Sequence, residues 1–136
     1  MKILIVGHGE YGSGIKSTIK LLTGVDEGID AINLNEELAH ERFTEIVNSY
    51  VKEHEKLIIF ADITGGAPFQ ITSREVLLNE GSEDQYVIGG VSVGCILDIV
   101  MKTLVIESDE DIKAVIDSSL EGLKDMATVM CRKDIA

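Results

Sequence analysis

Two residues stand where nucleophilic or acid–base chemistry could be built. His8 follows the apolar run Ile3-Leu4-Ile5-Val6 and sits between Gly7 and Gly9, and Asp62 follows Leu57-Ile58-Ile59-Phe60-Ala61. Both runs read as buried parallel strands, and residues just past the carboxyl ends of such strands are where open α/β sheets build their sites. If the two strands are neighbours, the Asp62 carboxylate can fix the tautomer of His8 through one ring nitrogen. The lone pair of the other nitrogen is then free to attack an electrophile. Gly9, Gly12, Gly65 and Gly66 let backbone N–H groups come close, and helix starts near Ser13 and Pro68 offer dipole ends that favour an anion. Such a set could take up and release a phosphoryl group, with Thr64 and Ser13 serving as hydroxyl donors or as plain helix caps. No metal-ligand spacing is evident, and no cofactor is called for.

The same residues nearly spell two nucleotide loops. Gly7-His8-Gly9-Glu10-Tyr11-Gly12 satisfies the dinucleotide pattern G-x-G-x-x-G. That pattern wants an acidic residue at the end of the second strand, whereas this strand ends in Leu34-Asn35, with Glu36 and Glu37 just beyond. Gly9 to Ser17 approaches the P-loop, but Ile15 stands between Gly14 and Lys16. One extra residue turns Lys16 by about 100° around a helix, away from a phosphate held by the loop. A small nucleotide-binding or regulatory domain stays as the alternative from a different class.

The elements that must position His8 and Asp62 follow from periodicity. Ser13 is a plausible N-cap for a helix through about Leu22, ended by Thr23-Gly24. A second strand covers Ile29 to Leu34. A long amphipathic helix then carries Leu38, Phe43, Ile46, Val47, Tyr50 and Val51 on one face. After the Asp62 turn, Pro68 opens a helix to about Asn79. A fourth strand from Tyr86 to Val91 leads to a helix around Cys95 to Lys102. Ser108 or Asp109 starts the last long helix, in which Ile112, Val115, Ile116, Leu120 and Leu123 share one side. Met126 to Cys131 is a final apolar run that suits a short strand. Right-handed crossovers between these elements predict a doubly wound, mainly parallel α/β sheet of four strands with helices on both faces.

Composition bounds the rest. A chain of 136 residues with 45% hydrophobic and 4% aromatic residues is one domain whose core is filled by Leu, Ile and Val. A net charge of −12 argues against nucleic acid or an anionic membrane surface as partner and favours a partner with a basic face. Cys95 and Cys131 read as thiols in a reducing compartment. The chain runs from Met1-Lys2 straight into a strand and has no apolar run near the ~20 residues of a membrane span, so a cytoplasmic protein is expected. His40 and His54 fall on a polar helix face and read as solvated, and Arg74 reads as a surface charge or a docking contact.

At the level of specific motifs, Ile3-Leu4-Ile5-Val6-Gly7-His8-Gly9 together with Asp62-Ile63-Thr64-Gly65-Gly66-Ala67-Pro68-Phe69 resembles the IIA component of the mannose-type sugar phosphotransferase system. The similarity covers essentially the whole chain, including the Gly90-Val91-Ser92-Val93 turn. It implies that residues 1–131 form a single IIA-type domain and 132–136 a short tail. It implies that His8 is phosphorylated by the carrier protein HPr, that Asp62 orients it, and that the phosphoryl group passes to a IIB component. The membrane components IIC and IID would be indirect partners, bringing the protein to the transporter. A homodimer is implied too, with a carboxyl-terminal antiparallel strand exchanged between subunits, for which Met126 to Cys131 is the candidate. Ala67 departs from the family's usual Ser or Thr, so Thr64 or Ser13 would have to supply any hydroxyl bond to the phosphoryl group. Gln70 and Ser92 replace common asparagines. A related reading is the IIA-like domain that feeds dihydroxyacetone kinase, which shares the amino-terminal histidine but matches Gly65 to Phe69 less well.

Overall fold

The computed structural model of the chain describes residues 1–106 and 110–135. The strands are β1 (Lys2–His8), β2 (Ile29–Leu34), β3 (Leu57–Ala61) and β4 (Gln85–Gly89). They form one four-stranded parallel sheet in the order β2-β1-β3-β4. The helices are α1 (Tyr11–Thr23), α2 (His40–Glu53), α3 (Ala67–Leu78), α4 (Val93–Val100), α5 (Ile112–Glu121) and α6 (Leu123–Met126). The doubly wound α/β sheet expected from the sequence is what the chain forms.

Alternation along the strands divides the core into two layers. Ile3 and Ile5 of β1, with Ile58 and Phe60 of β3, pack with Ile19 of α1, with Cys95, Ile96, Ile99 and Val100, and with Ile116 of α5. Leu4 and Val6, with Leu57, Ile59 and Ala61, pack with Phe43, Val47 and Val51 of α2 and Ile71 of α3. Because β1 and β3 are covered on both faces, Ile3 to Val6 and Leu57 to Phe60 are all fully buried. The chain leaves β1 for β2 on one side and then crosses back over β1 to reach β3. The order therefore reverses between β1 and β3, with Val6 paired to Ala61 in register.

Several boundaries differ from the sequence-based expectation, each for a local reason. Helix α1 starts at Tyr11, not after a Ser13 cap, and Glu10 at its cap position makes no side-chain bond. Gly12 allows this early start, since a Cβ there would stand 2.7 Å from Ile5 O and 2.8 Å from Asn33 Oδ1. Helix α2 starts at His40, which leaves Leu38 in a loop where the Asn35 carboxamide oxygen accepts from the N–H groups of Glu37 and Leu38. Strand β4 ends at Gly89 because Gly90 takes φ +72°, outside the extended region. Helix α4 runs on into a π-helical turn, Met101–Val105. The helix start expected at Ser108 or Asp109 lies outside the described residues.

Met126 to Cys131 is no strand within the single chain. Met126 ends α6, residues 127–131 have no regular structure, and Val129 and Met130 are 89% and 80% exposed. A strand needs a neighbouring strand to form a ladder, and no strand of the sheet pairs with this segment among the described residues. Arg132–Ile135 closes a 3-10 turn. Among the described residues no helix is long and apolar enough to cross a membrane.

Candidate functional site

At the reversal in strand order His8 ends β1, and Asp62 follows directly on β3. The two meet as the strand register requires. Asp62 Oδ2 accepts from the His8 backbone N–H at 2.9 Å and lies 2.8 Å from His8 Nδ1. Its other oxygen, Oδ1, accepts from the N–H of Ile63 at 2.9 Å. Burial, the largest influence, raises the carboxyl pKa, but the two His8 bonds, the imidazole charge and the Ile63 bond together hold it below the ordinary carboxylate value. An ionised carboxylate can only accept, so Nδ1 carries a proton, and in the neutral form of the ring the lone pair is on Nε2. The His8 side chain is 48% exposed and that of Asp62 only 10%. The carboxylate is thus sheltered and the imidazole exposed.

The Asp62 loop shapes the third side of the ring. Gly66 N–H donates to Ile63 O at 3.1 Å and Gly65 takes φ +85°, the form of a type II turn with its required glycine. This turn brings Gly66 against the imidazole, so that a Cβ on Gly66 would lie 3.2 Å from His8 Cε1. Gln70 Nε2 donates to Gly65 O at 2.7 Å, while its backbone N–H makes the first bond of α3, to Gly66 O. The N–H groups of Ala67 and Phe69 lie ahead of that bond, at the positive end of the α3 dipole, and Pro68 between them has none to satisfy.

Not every expected residue joins this group. Ser13 is the third residue of α1; its N–H donates to Asn33 Oδ1 at 3.1 Å and its hydroxyl donates to Glu10 O at 3.2 Å while accepting from Asn33 Nδ2 at 2.9 Å. Ser13 is therefore engaged in holding the first turn of α1 to the end of β2. Gly9 takes φ +61°, and its N–H donates to Leu34 O. Thr64 lies toward β4, where a Cβ on Gly89 would come 2.5 Å from its hydroxyl oxygen. Gly65, Gly66 and Ala67 belong to the turn and helix start beside His8.

Two contributors were missed by sequence reasoning. Asn33 clamps α1, and its one signal is a polar side chain near the end of a strand. Tyr11 lies over Gly7, where a Cβ would come 2.5 Å from its Cδ1. Burial, and then the charge of Asp62, raise the pKa of the Tyr11 phenol. Lys16, the residue that weakened the P-loop reading, lies 3.8 Å from Asp26. Among the described residues no three His, Cys, Asp or Glu side chains converge as metal ligands, and Cys95 and Cys131 are free, one buried and one exposed.

Fold and site define a doubly wound α/β protein that presents a carboxylate-held imidazole at its topological switch point. The family model for the PTS system fructose IIA component matches residues 2–116. This chain belongs to that family. Its structure is similar to that of the phosphotransferase system component EIIA from Streptococcus agalactiae, with a TM-score of 0.76 at 24% identity over 99% of this chain and 98% of that one. It is also similar to the mannose/sorbose-specific IIA subunit from Enterococcus faecalis, with a TM-score of 0.75 at 14% identity over 96% and 94%. A PTS IIA protein associated with the fucose utilization operon of Streptococcus pneumoniae gives 0.72 at 15% identity over 98% and 94%. No curated protein sequence matches the chain.

Proposed function

We propose that this IIA-type phosphotransferase component carries a phosphoryl group on His8 Nε2, taking it from phospho-HPr and passing it to a IIB component during sugar uptake. The observation that carries the reading is the 2.8 Å contact between His8 Nδ1 and the sheltered Asp62 carboxylate, with the imidazole otherwise open. In the acceptor step the Nε2 lone pair attacks the phosphorus of the donor's phosphohistidine. The new N–P bond forms as the old one breaks, and the donor imidazole leaves with its electron pair. The proton on Nδ1 stays in place, so Asp62 balances the positive charge that the ring acquires. The N–H groups at the start of α3 are candidates to receive phosphoryl oxygens. Docking of both proteins takes place in the cytoplasm, at the carboxyl edge of the sheet.

The functional unit in this reading is a homodimer. Strand β4 is an edge of the sheet, and beside it runs an apolar groove of about 710 Å³ lined by Phe69, Val76, Leu77, Val87, Ile116 and Leu120, among others. Residues 127–131 of a second copy, exposed in the single chain, are suited to pair along that edge.

The phosphocarrier reading is tested by incubation with radiolabelled phosphoenolpyruvate, enzyme I and HPr. One acid-labile, base-stable phosphate per chain is expected, transferable to IIB and absent from His8→Ala. Undiminished labelling of that variant would overturn the assignment.

A further inference from the structure

The loop beside His8 contains a hydrogen bond whose place in the fold is not explained by helix formation. Helix α3 needs the Gln70 backbone N–H, which bonds Gly66 O, but it does not need the Gln70 side chain. That side chain is exposed and nevertheless reaches back to Gly65 O at 2.7 Å. The Gly65–Gly66 peptide is thereby held at both ends, its N–H by Ile63 O and its C=O by Gln70 Nε2. It joins the glycine that needs φ +85° to the glycine pressed against His8 Cε1. Without side chains at either residue, rotation of that peptide meets little steric resistance, so hydrogen bonds must fix it.

We infer that Gln70 is a positioning residue for phosphoryl transfer, which holds the Gly65 carbonyl away from the phosphoryl group and keeps Gly66 against the edge of the His8 ring. The inference rests on the phosphocarrier reading of His8. Cε1 is bonded to both ring nitrogens, so a shift of Gly66 alters the wall immediately beside Nε2. A carbonyl oxygen carries partial negative charge, and turned toward Nε2 it would oppose an incoming dianionic group. Donation from Gln70 commits this oxygen elsewhere. Orientation set in advance by fixed dipoles acts on the rate of transfer and has little effect on the docking of the donor.

The test compares wild type with Gln70→Met, which keeps the length of the side chain and lacks a donor, and Gln70→Lys, which restores one. Labelling from phospho-HPr is followed to give kcat and KM, and the isolated phosphoprotein is followed for loss of label. For Gln70→Met the expectation is a fall in kcat of about tenfold with KM for phospho-HPr unchanged, together with faster loss of label. Gln70→Lys is expected to recover most of both. Wild-type kcat and label lifetime in Gln70→Met would overturn the inference, as would equal impairment in Gln70→Lys. Failure of the wild-type protein to take up label at all would overturn the phosphocarrier reading itself.

Discussion

Asp62 does two things for His8 with one oxygen atom, binding both its main chain and its ring. Asp62→Asn keeps the shape of this contact, but the carboxamide carries no counter-charge, and if its oxygen keeps the His8 bonds its NH2 faces the Ile63 N–H. Phosphoryl transfer should fall by about a hundredfold with the circular dichroism spectrum unchanged, since a misoriented or wrong-tautomer imidazole loses general-base and nucleophilic power on that scale. Wild-type transfer rates would show that Asp62 does not orient the ring. The depressed pKa of Asp62 has a separate consequence for stability. In the unfolded chain the carboxyl titrates near its ordinary value of about 3.9. Its ionised form therefore favours the folded state above that pH, and the contribution is lost as pH falls through the lower folded-state value. In urea unfolding between pH 6 and 2.5, wild type should lose stability more steeply than Asp62→Asn at the acid end.

At the scale of elements, the site depends on where α1 and α3 begin. Alternation and apolar runs made β1 and β3 legible, and with them the meeting of His8 and Asp62, because strand period and register depend on few residues. The helix starts were less legible. Ser13 has the composition of a cap, yet it sits inside α1 because Gly12 lets the first turn lie directly on the backbone of β1 and β2. Such an approach is a three-dimensional fit that a linear pattern does not carry. The Asn33–Ser13 and Gln70–Gly65 bonds are likewise contacts between side chains and loops whose shapes depend on the finished fold. Gly12→Ala places a methyl group within 2.7 Å of Ile5 O. It should destabilise the protein by about 1–3 kcal/mol, as overpacking does, and slow labelling of His8 by displacing the turn after it. Chemical denaturation and the labelling assay measure the two effects.

At the scale of the whole molecule, one segment and one groove bear on association. Residues 127–131 are exposed, and the groove beside β4 lies open. If two copies exchange these segments, sedimentation velocity of the full chain at micromolar concentration should show a dimer, and a chain ending at Met126 should sediment as a monomer. A truncated chain that still dimerises would rule out the exchanged segment as the basis of association. The net charge of −12 opposes self-association at low salt, so the full-length dimer should tighten as salt is added.

The bonds from main chain and ring of His8 to a single carboxylate oxygen close a small loop of atoms that holds the imidazole in one rotamer. Nδ1 is consumed within that loop, so a phosphoryl group would enter and depart through one nitrogen, facing one direction. Giver and taker must then occupy the same berth in turn. Steady-state transfer from phospho-HPr to IIB should follow ping-pong kinetics, with parallel lines in double-reciprocal plots, and excess unphosphorylated IIB should inhibit competitively against the donor. Intersecting lines would mean that both proteins dock at once and would overturn the shared berth.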